Sequence, residues 1–202
     1  MVFDANIWID TAVILGAPAT RADFDRANAT TVGTPIPHPI DRAYDSMRAI
    51  ATTLSGRFVA DERIEVWTSN HIDDLVYDRL ARPVEGAANG RTGYGWSLGD
   101  AEKYLVEMVD SLVESTAGGS VGDVSIPFKN PPLDHEDGCV MQTARTAGHS
   151  DTPWYQKYII TRDQGFRTAD LSSEITVLYP WEWIGRVRGA RVAGVKPKVR
   201  AR

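Results

Sequence analysis

The chain has a single cysteine, Cys139, among 202 residues. One thiol cannot close an internal disulfide and leaves no cysteine cluster for zinc, so packing must hold the fold together. Histidine is also scarce. His38, His71, His135 and His149 show no metal-ligand spacing, and His135 reads as a helix-start residue rather than a general base. No apolar run approaches the roughly 20 residues of a membrane span. The opening Met1-Val2-Phe3-Asp4 carries an acid where an export signal wants positive charge. These absences predict a cytoplasmic protein without export signal or membrane anchor. What remains is ordinary for a globular chain: 43% hydrophobic and 24% charged residues, in a length that suits one domain with a real core.

Charge is unevenly spread. Arg186 to Arg202 holds seven basic residues and no acid, in a chain whose net charge is -5. An acidic body with a basic tail is a pattern of proteins that handle phosphate polymers, the plain alternative being a solvated terminal extension.

Short β-branched runs alternate with helical periods, which predicts an α/β fold with a mostly parallel sheet of about five strands. Met1 to Phe3 is the first expected strand and Asp4 to Leu15 a helix, stopped by Gly16-Ala17-Pro18. Ala19 to Pro39, rich in Thr, Pro and Gly, reads as a long loop or lid. A helix is expected over Asp41 to Leu54, a strand over Ile64 to Thr68, and a helix capped by Ser69 or Asn70 that ends before Pro83. Gly86 to Gly99 reads as a mobile glycine-rich stretch, and Asp100 to Ser115 as the clearest amphipathic helix. Further strands are expected at Val124 to Ile126, Tyr158 to Thr161 and Ile175 to Leu178, with a helix from Asp134 or His135 to about Ala147. Trp181 to Ile184 reads as a short turn of helix, Cys139 as a core residue, and Trp181 and Trp183 as core anchors, one of which could instead stack on a base. The domain is expected over 1–185, with 186–202 as the basic tail.

Acids fall just beyond the strands, where ligands of open α/β sheets bind. Asp4 and Asn6 follow the first strand, Asp73 and Asp74 lie in the helix after the second, Asp134 and Asp137 open a later helix, and Asp163 follows the fourth. In a parallel sheet all of them meet on one rim. Carboxylates gathered within a few ångströms raise one another's pKa until some protonate or a cation enters. A hard divalent ion, Mg²⁺ or Mn²⁺, is the natural occupant, and with bound water it supports phosphodiester hydrolysis. Asp134 with Asp137, and Ser69 or Asn70 with Asp73, have ordinary readings as helix caps with an acid in the first turn. Asp4 and Asp163, directly after buried strands, must cap or bind something. Arg162 is placed to contact a phosphate, or to pair with a neighbouring acid.

Four segments together resemble a known family. Val2-Phe3-Asp4-Ala5-Asn6-Ile7-Trp8-Ile9 looks like the first PIN-domain motif, and Thr68-Ser69 followed by Asp74-Leu75 and Leu80 like the second. Asp134-His135-Glu136-Asp137 leading to Ala144 is similar to the third, and Ile159-Ile160-Thr161-Arg162-Asp163 to the fourth, an apolar strand ending in Thr-x-Asp. The resemblance implies a three-layer α/β/α sandwich and a metal-dependent endoribonuclease. Asp4, Asp74, Asp137 and Asp163 would then be the catalytic, metal-binding acids, with Asn6, Asp73, Asp134 and Thr161 in support. The sequence departs from the pattern in carrying Asp73-Asp74 where the family usually has glutamate. Many such relatives are toxins of toxin-antitoxin modules, so the resemblance also implies an antitoxin partner and, by analogy, a homodimer.

Other readings are weaker. A haloacid-dehalogenase enzyme needs Asp-x-Asp after the first strand, and here the second position is Asn6. A response-regulator receiver needs an acidic pair there and a late lysine, and neither is present. A catalytically inactive module that binds RNA or protein through its tail is the alternative from another class, and a repulsive acid cluster argues against it.

Overall fold

The computed structural model describes residues 1–31, 42–54, 64–84, 92–125, 133–148, 156–168 and 175–194. Five parallel strands form one sheet in the order β3-β2-β1-β4-β5. They are β1 (Val2–Phe3), β2 (Trp67–Thr68), β3 (Gly119–Ser120), β4 (Lys157–Ile160) and β5 (Ile175–Leu178). The helices are α1 (Ala5–Leu15), α2 (Arg21–Thr31), α3 (Arg42–Leu54), α4 (Asn70–Ala81), α5 (Leu98–Tyr104), α6 (Ser111–Ser115), α7 (His135–Thr146), α8 (Gly165–Thr168) and α9 (Pro180–Gly194). A π turn, Leu105–Asp110, joins α5 to α6. The architecture is the expected α/β/α sandwich.

The sheet is central because its middle is apolar on both faces. Val2, Phe3, Ile159 and Ile160 are wholly buried, as befits parallel strands covered on both sides. Helix α7 lies against β1, β2 and β4, while α1 packs on α3 and α4, and α3 on α9. Buried aromatics find partners for their polar atoms. The Tyr104 hydroxyl donates to the Trp8 carbonyl at 2.7 Å, and Trp183 Nε1 donates to Thr53 Oγ1 at 2.9 Å. The strand order also sets the site. From β1 the chain moves outward through β2 to β3, then returns to build β4 and β5 on the other side of β1. The topology therefore reverses between β1 and β4, and the crevice beyond their carboxyl ends is the natural binding place.

Several expectations fail for physical reasons. The first part of the expected lid is helix α2, held by a capping box that a compositional reading overlooks. Thr20 Oγ1 accepts from Asp23 N at 3.2 Å, and Asp23 Oδ2 accepts from Thr20 N at 3.1 Å. Phe24 anchors that helix in the core, and residues 32–39 of the expected lid lie outside the described ones. The third strand is Gly119–Ser120, not Val124 to Ile126. A Cβ at Gly118 would stand 1.7 Å from the Val66 carbonyl oxygen, so glycine admits a backbone approach that β-propensity cannot signal. Ser125 and Val124 have no strand structure, and Ile126 lies outside the described residues.

The expected short turn at Trp181 is instead a 15-residue helix that runs through the first part of the basic segment. Trp183, Ile184 and Val187 bury one face of it. Gly185 and Gly189, each costing about 1 kcal/mol in a helix, disguise the pattern. Trp183 is a core residue as expected, but Trp181 is 48% exposed and stacks on Tyr179 with ring centroids 4.4 Å apart. Residues 195–202 lie outside the described ones. The stretch read as mobile is tied down where it is described: Gly93 N, Tyr94 N, Gly95 N and Trp96 N donate to the carbonyls of Pro83, Arg79, Arg82 and Leu80. They cap the free carbonyls at the end of α4.

Candidate functional site

At the reversal point Asp4 N donates to the Ile160 carbonyl at 3.0 Å, which locks the end of β1 beside β4. The Asp4 side chain, only 6% exposed, turns toward the segment that follows β4. Thr161 is the hub. Its wholly buried hydroxyl donates to Asp4 Oδ2 at 2.6 Å and accepts from Asp163 N at 2.9 Å and Asn6 Nδ2 at 3.3 Å. A hydroxyl has one donor and two acceptor positions, so all three are in use. Asn6 Nδ2 also donates to Asp4 Oδ2, and its Oδ1 accepts from Arg162 N at 3.4 Å. Thr161 and Asn6 thus orient Asp4 and the turn that carries Asp163.

The third segment is the start of α7. Asp134 is its N-cap and accepts from Asp137 N at 3.0 Å, which fixes Asp137 in the first turn. Asp163 Oδ1 accepts from Gly165 N at 2.6 Å. A Cβ at Gly165 would lie 3.1 Å from Asp163 Oδ1 and 3.8 Å from Asp137 Oδ2. The two carboxylates converge over this residue, and the missing side chain leaves them room.

Asp4, Asp134, Asp137 and Asp163 line one cleft of about 400 Å³ with Ala5, Asn6 and Ile9 of α1, Leu75, Asp78 and Arg79 of α4, Arg82 at its C-cap, and Glu136 and Val140 of α7. Six of these residues are acids, and the electrostatics register it. Burial, reinforced by the charges of Asp134, Asp163 and Asp4, pushes Asp137 up to about 7. Burial pushes Asp4 up to about 6, against the Thr161 hydrogen bond and with help from the Asp163 charge. Carboxyls held this high inside a shared cleft make it a candidate functional site, whereas the equally raised Asp73 lies off the cleft. A cation entering the cleft would reverse both shifts. Among the described residues, however, no three Asp, Glu, His or Cys side chains stand close enough to form a ready-made metal cage.

Not every predicted residue reaches the cleft. On a helix each residue turns about 100° from the last, and the cleft-facing residues of α4 are Leu75, Asp78 and Arg79, with Arg82 at its C-cap. That face turns Asp73 to the far side and Asp74 well off it. Asp73 accepts from Thr68 Oγ1 at 2.7 Å, and burial raises its pKa to about 6 with the Asp110 charge beside it. Asp74 is exposed and faces His71. Arg162 is likewise not on the cleft wall: its guanidinium pairs with Asp10, the ordinary alternative to a phosphate contact. The residues missed by sequence reasoning are Asp78, Arg79, Arg82 and Glu136. The spacing of 75, 78, 79 and 82 is one helical stripe, a signal present in the sequence but overshadowed by Asp73-Asp74.

Among the described residues, no helix is long and apolar enough to cross a membrane. Comparison of the chain with family models, with curated proteins and with solved structures finds no match.

Proposed function

We propose that this chain is a metal-dependent ribonuclease of the PIN-domain type, in which the cleft of Asp4, Asp137 and Asp163 supplies the one or two carboxylates that hold the metal. The observation that carries this reading is the convergence of acids from three separate segments in one cleft at the β1–β4 reversal, two of them with pKa values raised to about 6 and about 7. A structural scaffold gains nothing from such repulsion.

The donor set fits a hard cation. Magnesium and manganese take oxygen ligands, and magnesium in particular is held by one or two carboxylates, retained waters and substrate phosphate rather than by an all-protein cage. When bound, the ion would supply a Lewis acid toward the phosphodiester and a water of lowered pKa. The chain's own residues prepare the place. Thr161 and Asn6 hold Asp4 in one orientation and leave the buried carboxyl with neutral donors only. Gly165 holds Asp163 and opens space between it and Asp137. Asp134 fixes the first turn of α7 and adds the charge that raises Asp137.

A catalytically silent RNA- or protein-binding module is the competing reading, favoured by the lack of a three-ligand cage among the described residues. Metal separates the two. Wild type, Asp4→Asn and Asp163→Asn are incubated with a mixed RNA pool and Mn²⁺, and thermal unfolding of each is recorded with and without the ion. The nuclease reading expects cutting by the wild type alone and a Tm that rises with Mn²⁺ in the wild type. A wild type that neither cuts nor gains stability from Mn²⁺ overturns it in favour of the binding module.

A further inference from the structure

An anionic substrate has to enter a cleft lined by six acids, and the cations of that lining, Arg79 and Arg82, stand together on one wall beside Asp78. Arg79 of α4 and Arg82 at its C-cap line the space that Asp4, Asp137 and Asp163 share. Arg82 is tied to Asp78 one turn earlier. Arg79 is different: among the described residues it pairs with no carboxylate, although acids surround the same cleft. Its guanidinium carbon instead stands 6.0 Å from the centre of the Tyr94 ring. A half-buried guanidinium that meets no carboxylate among the described residues of an acidic cleft is a charge kept available for an anion that comes from outside.

Tyr94 is held as firmly as Arg79. Its backbone N donates to the Arg79 carbonyl at 3.2 Å, with Gly95 N on Arg82 at 2.9 Å and Trp96 N on Leu80 at 2.9 Å. A Cβ at Gly93 would fall 2.0 Å from the Arg82 carbonyl oxygen, so this segment lies directly on the end of α4 and only glycine permits it. The Tyr94 side chain nonetheless remains 40% exposed. An exposed aromatic ring on a fixed backbone, next to a cleft-lining guanidinium that pairs with no carboxylate among the described residues, is what a stacking platform for a nucleobase requires.

We propose that the α4 wall binds the substrate strand: Arg79, assisted by Arg82, takes a backbone phosphate next to the acids, and Tyr94 stacks on an adjacent unpaired base. The substrate is therefore single-stranded RNA, because a base inside a duplex cannot leave its stack for Tyr94 without unpairing. This rests on the nuclease reading and deepens it by naming which wall holds the strand and in which form. The three residues touch the polymer away from the reacting phosphate, so they set binding rather than the chemical step.

The test uses the full chain carrying Asp163→Asn, which cannot consume the probe, and a fluorescently labelled single-stranded oligouridylate titrated at several salt concentrations. Arg79→Ala should weaken binding about tenfold and reduce the slope of log K against log salt by about 0.7, the value for one phosphate contact on a single strand. Tyr94→Ala should weaken binding by a similar factor with the slope unchanged, and Tyr94→Phe should restore it, because stacking does not need the hydroxyl. A duplex of the same length should bind more weakly than the single strand and be indifferent to Tyr94. If Arg79→Ala leaves both affinity and salt slope intact, or if the duplex binds as well as the single strand, the α4 wall is not the strand site. That outcome is separate from a failure of the nuclease reading, which appears as a wild type unable to cut with Mn²⁺. A chain that binds no RNA at all overturns the proposal and leaves the wall to an acidic protein partner.

Discussion

Asp4 and Asp10 sit six residues apart, one at the head of α1 and the other within it, and both meet the segment that follows β4. Their surroundings are opposite. Asp10 accepts from Ser46 Oγ at 2.7 Å and pairs with the Arg162 guanidinium. Its charge is met by a charge. Asp4 has a hydroxyl from Thr161 and an amide from Asn6 for company, no cationic partner among the described residues, and the repulsion of Asp163. Asp10 is compensated from within the chain. Asp4 is left with neutral donors and like charges and, unlike the similarly placed Asp73, it opens onto the shared cleft, where the proposed cation would compensate it.

That contrast breaks if removing the Asp4 charge is harmless to activity. Asp4→Asn and Asp163→Asn should each lower Mn²⁺-dependent RNA cleavage at least about 100-fold, measured as initial rates on a labelled single strand. Both variants should stay folded, since asparagine can still accept from Thr161 or from Gly165 N. Cleavage persisting in either variant would mean that the cluster is not the reactive centre.

The next effect is on stability and has a definite sign. Asp4 holds its proton to about 6 in the folded chain and to about 4 when unfolded. Between these values the native state binds more protons than the unfolded one, so its stability falls as pH rises through that window. Asp137, raised to about 7, extends the loss toward neutrality. In EDTA Asp4→Asn should therefore gain stability relative to the wild type as pH rises from 5 to 7.5, by up to about 3 kcal/mol at the upper end. A difference between Asp4→Asn and wild type that does not grow over this range would remove the electrostatic half of the comparison.

How much of this could be read from the residues alone follows from where each signal is encoded. Asp4, Asp137 and Asp163 were legible because strand ends and helix starts are local: apolar runs such as Ile159-Ile160 and the capping pair Asp134–Asp137 announce themselves. Their convergence follows from parallel strands alone. The wall formed by Arg79, Arg82 and Tyr94 was not legible, since it depends on the rotation of α4 about its axis and on a glycine-rich segment folding back onto its end. The true third strand was hidden for a related reason, because Gly118 and Gly119 pair through closeness of backbone and not through side-chain preference. Helix α2 was hidden by composition, although Thr20 and Asp23 carry its start.

The compensated side of the comparison is sharpened by breaking the Asp10 pair. Asp10→Ala leaves the partly buried Arg162 without its partner, and Arg162→Met leaves Asp10 with Ser46 alone. Each should cost about 2 kcal/mol in urea unfolding, and the double variant should cost less than the sum, as for groups in direct contact. Arg162→Met should still cleave RNA at close to the wild-type rate. A large loss of activity without loss of stability would return Arg162 to the role of a phosphate contact.

The smallest expected effect discriminates most finely between local sequence and fold. Asp74 stands in the position where the family resemblance places a metal-binding acid, yet it is exposed, and the face of α4 that reaches the cleft is turned well away from it. Asp74→Asn should change cleavage by less than about twofold, as for a surface substitution remote from a site, whereas Asp137→Asn should match the loss at Asp4. Equal and severe losses at Asp74 and Asp137 would require α4 to rotate by about a quarter turn when metal and RNA are bound. In that case Arg79 would leave the cleft wall as Asp74 entered it, so the same rotation would also cancel the effect of Arg79→Ala on binding. The two substitutions therefore report on a single angle from opposite sides.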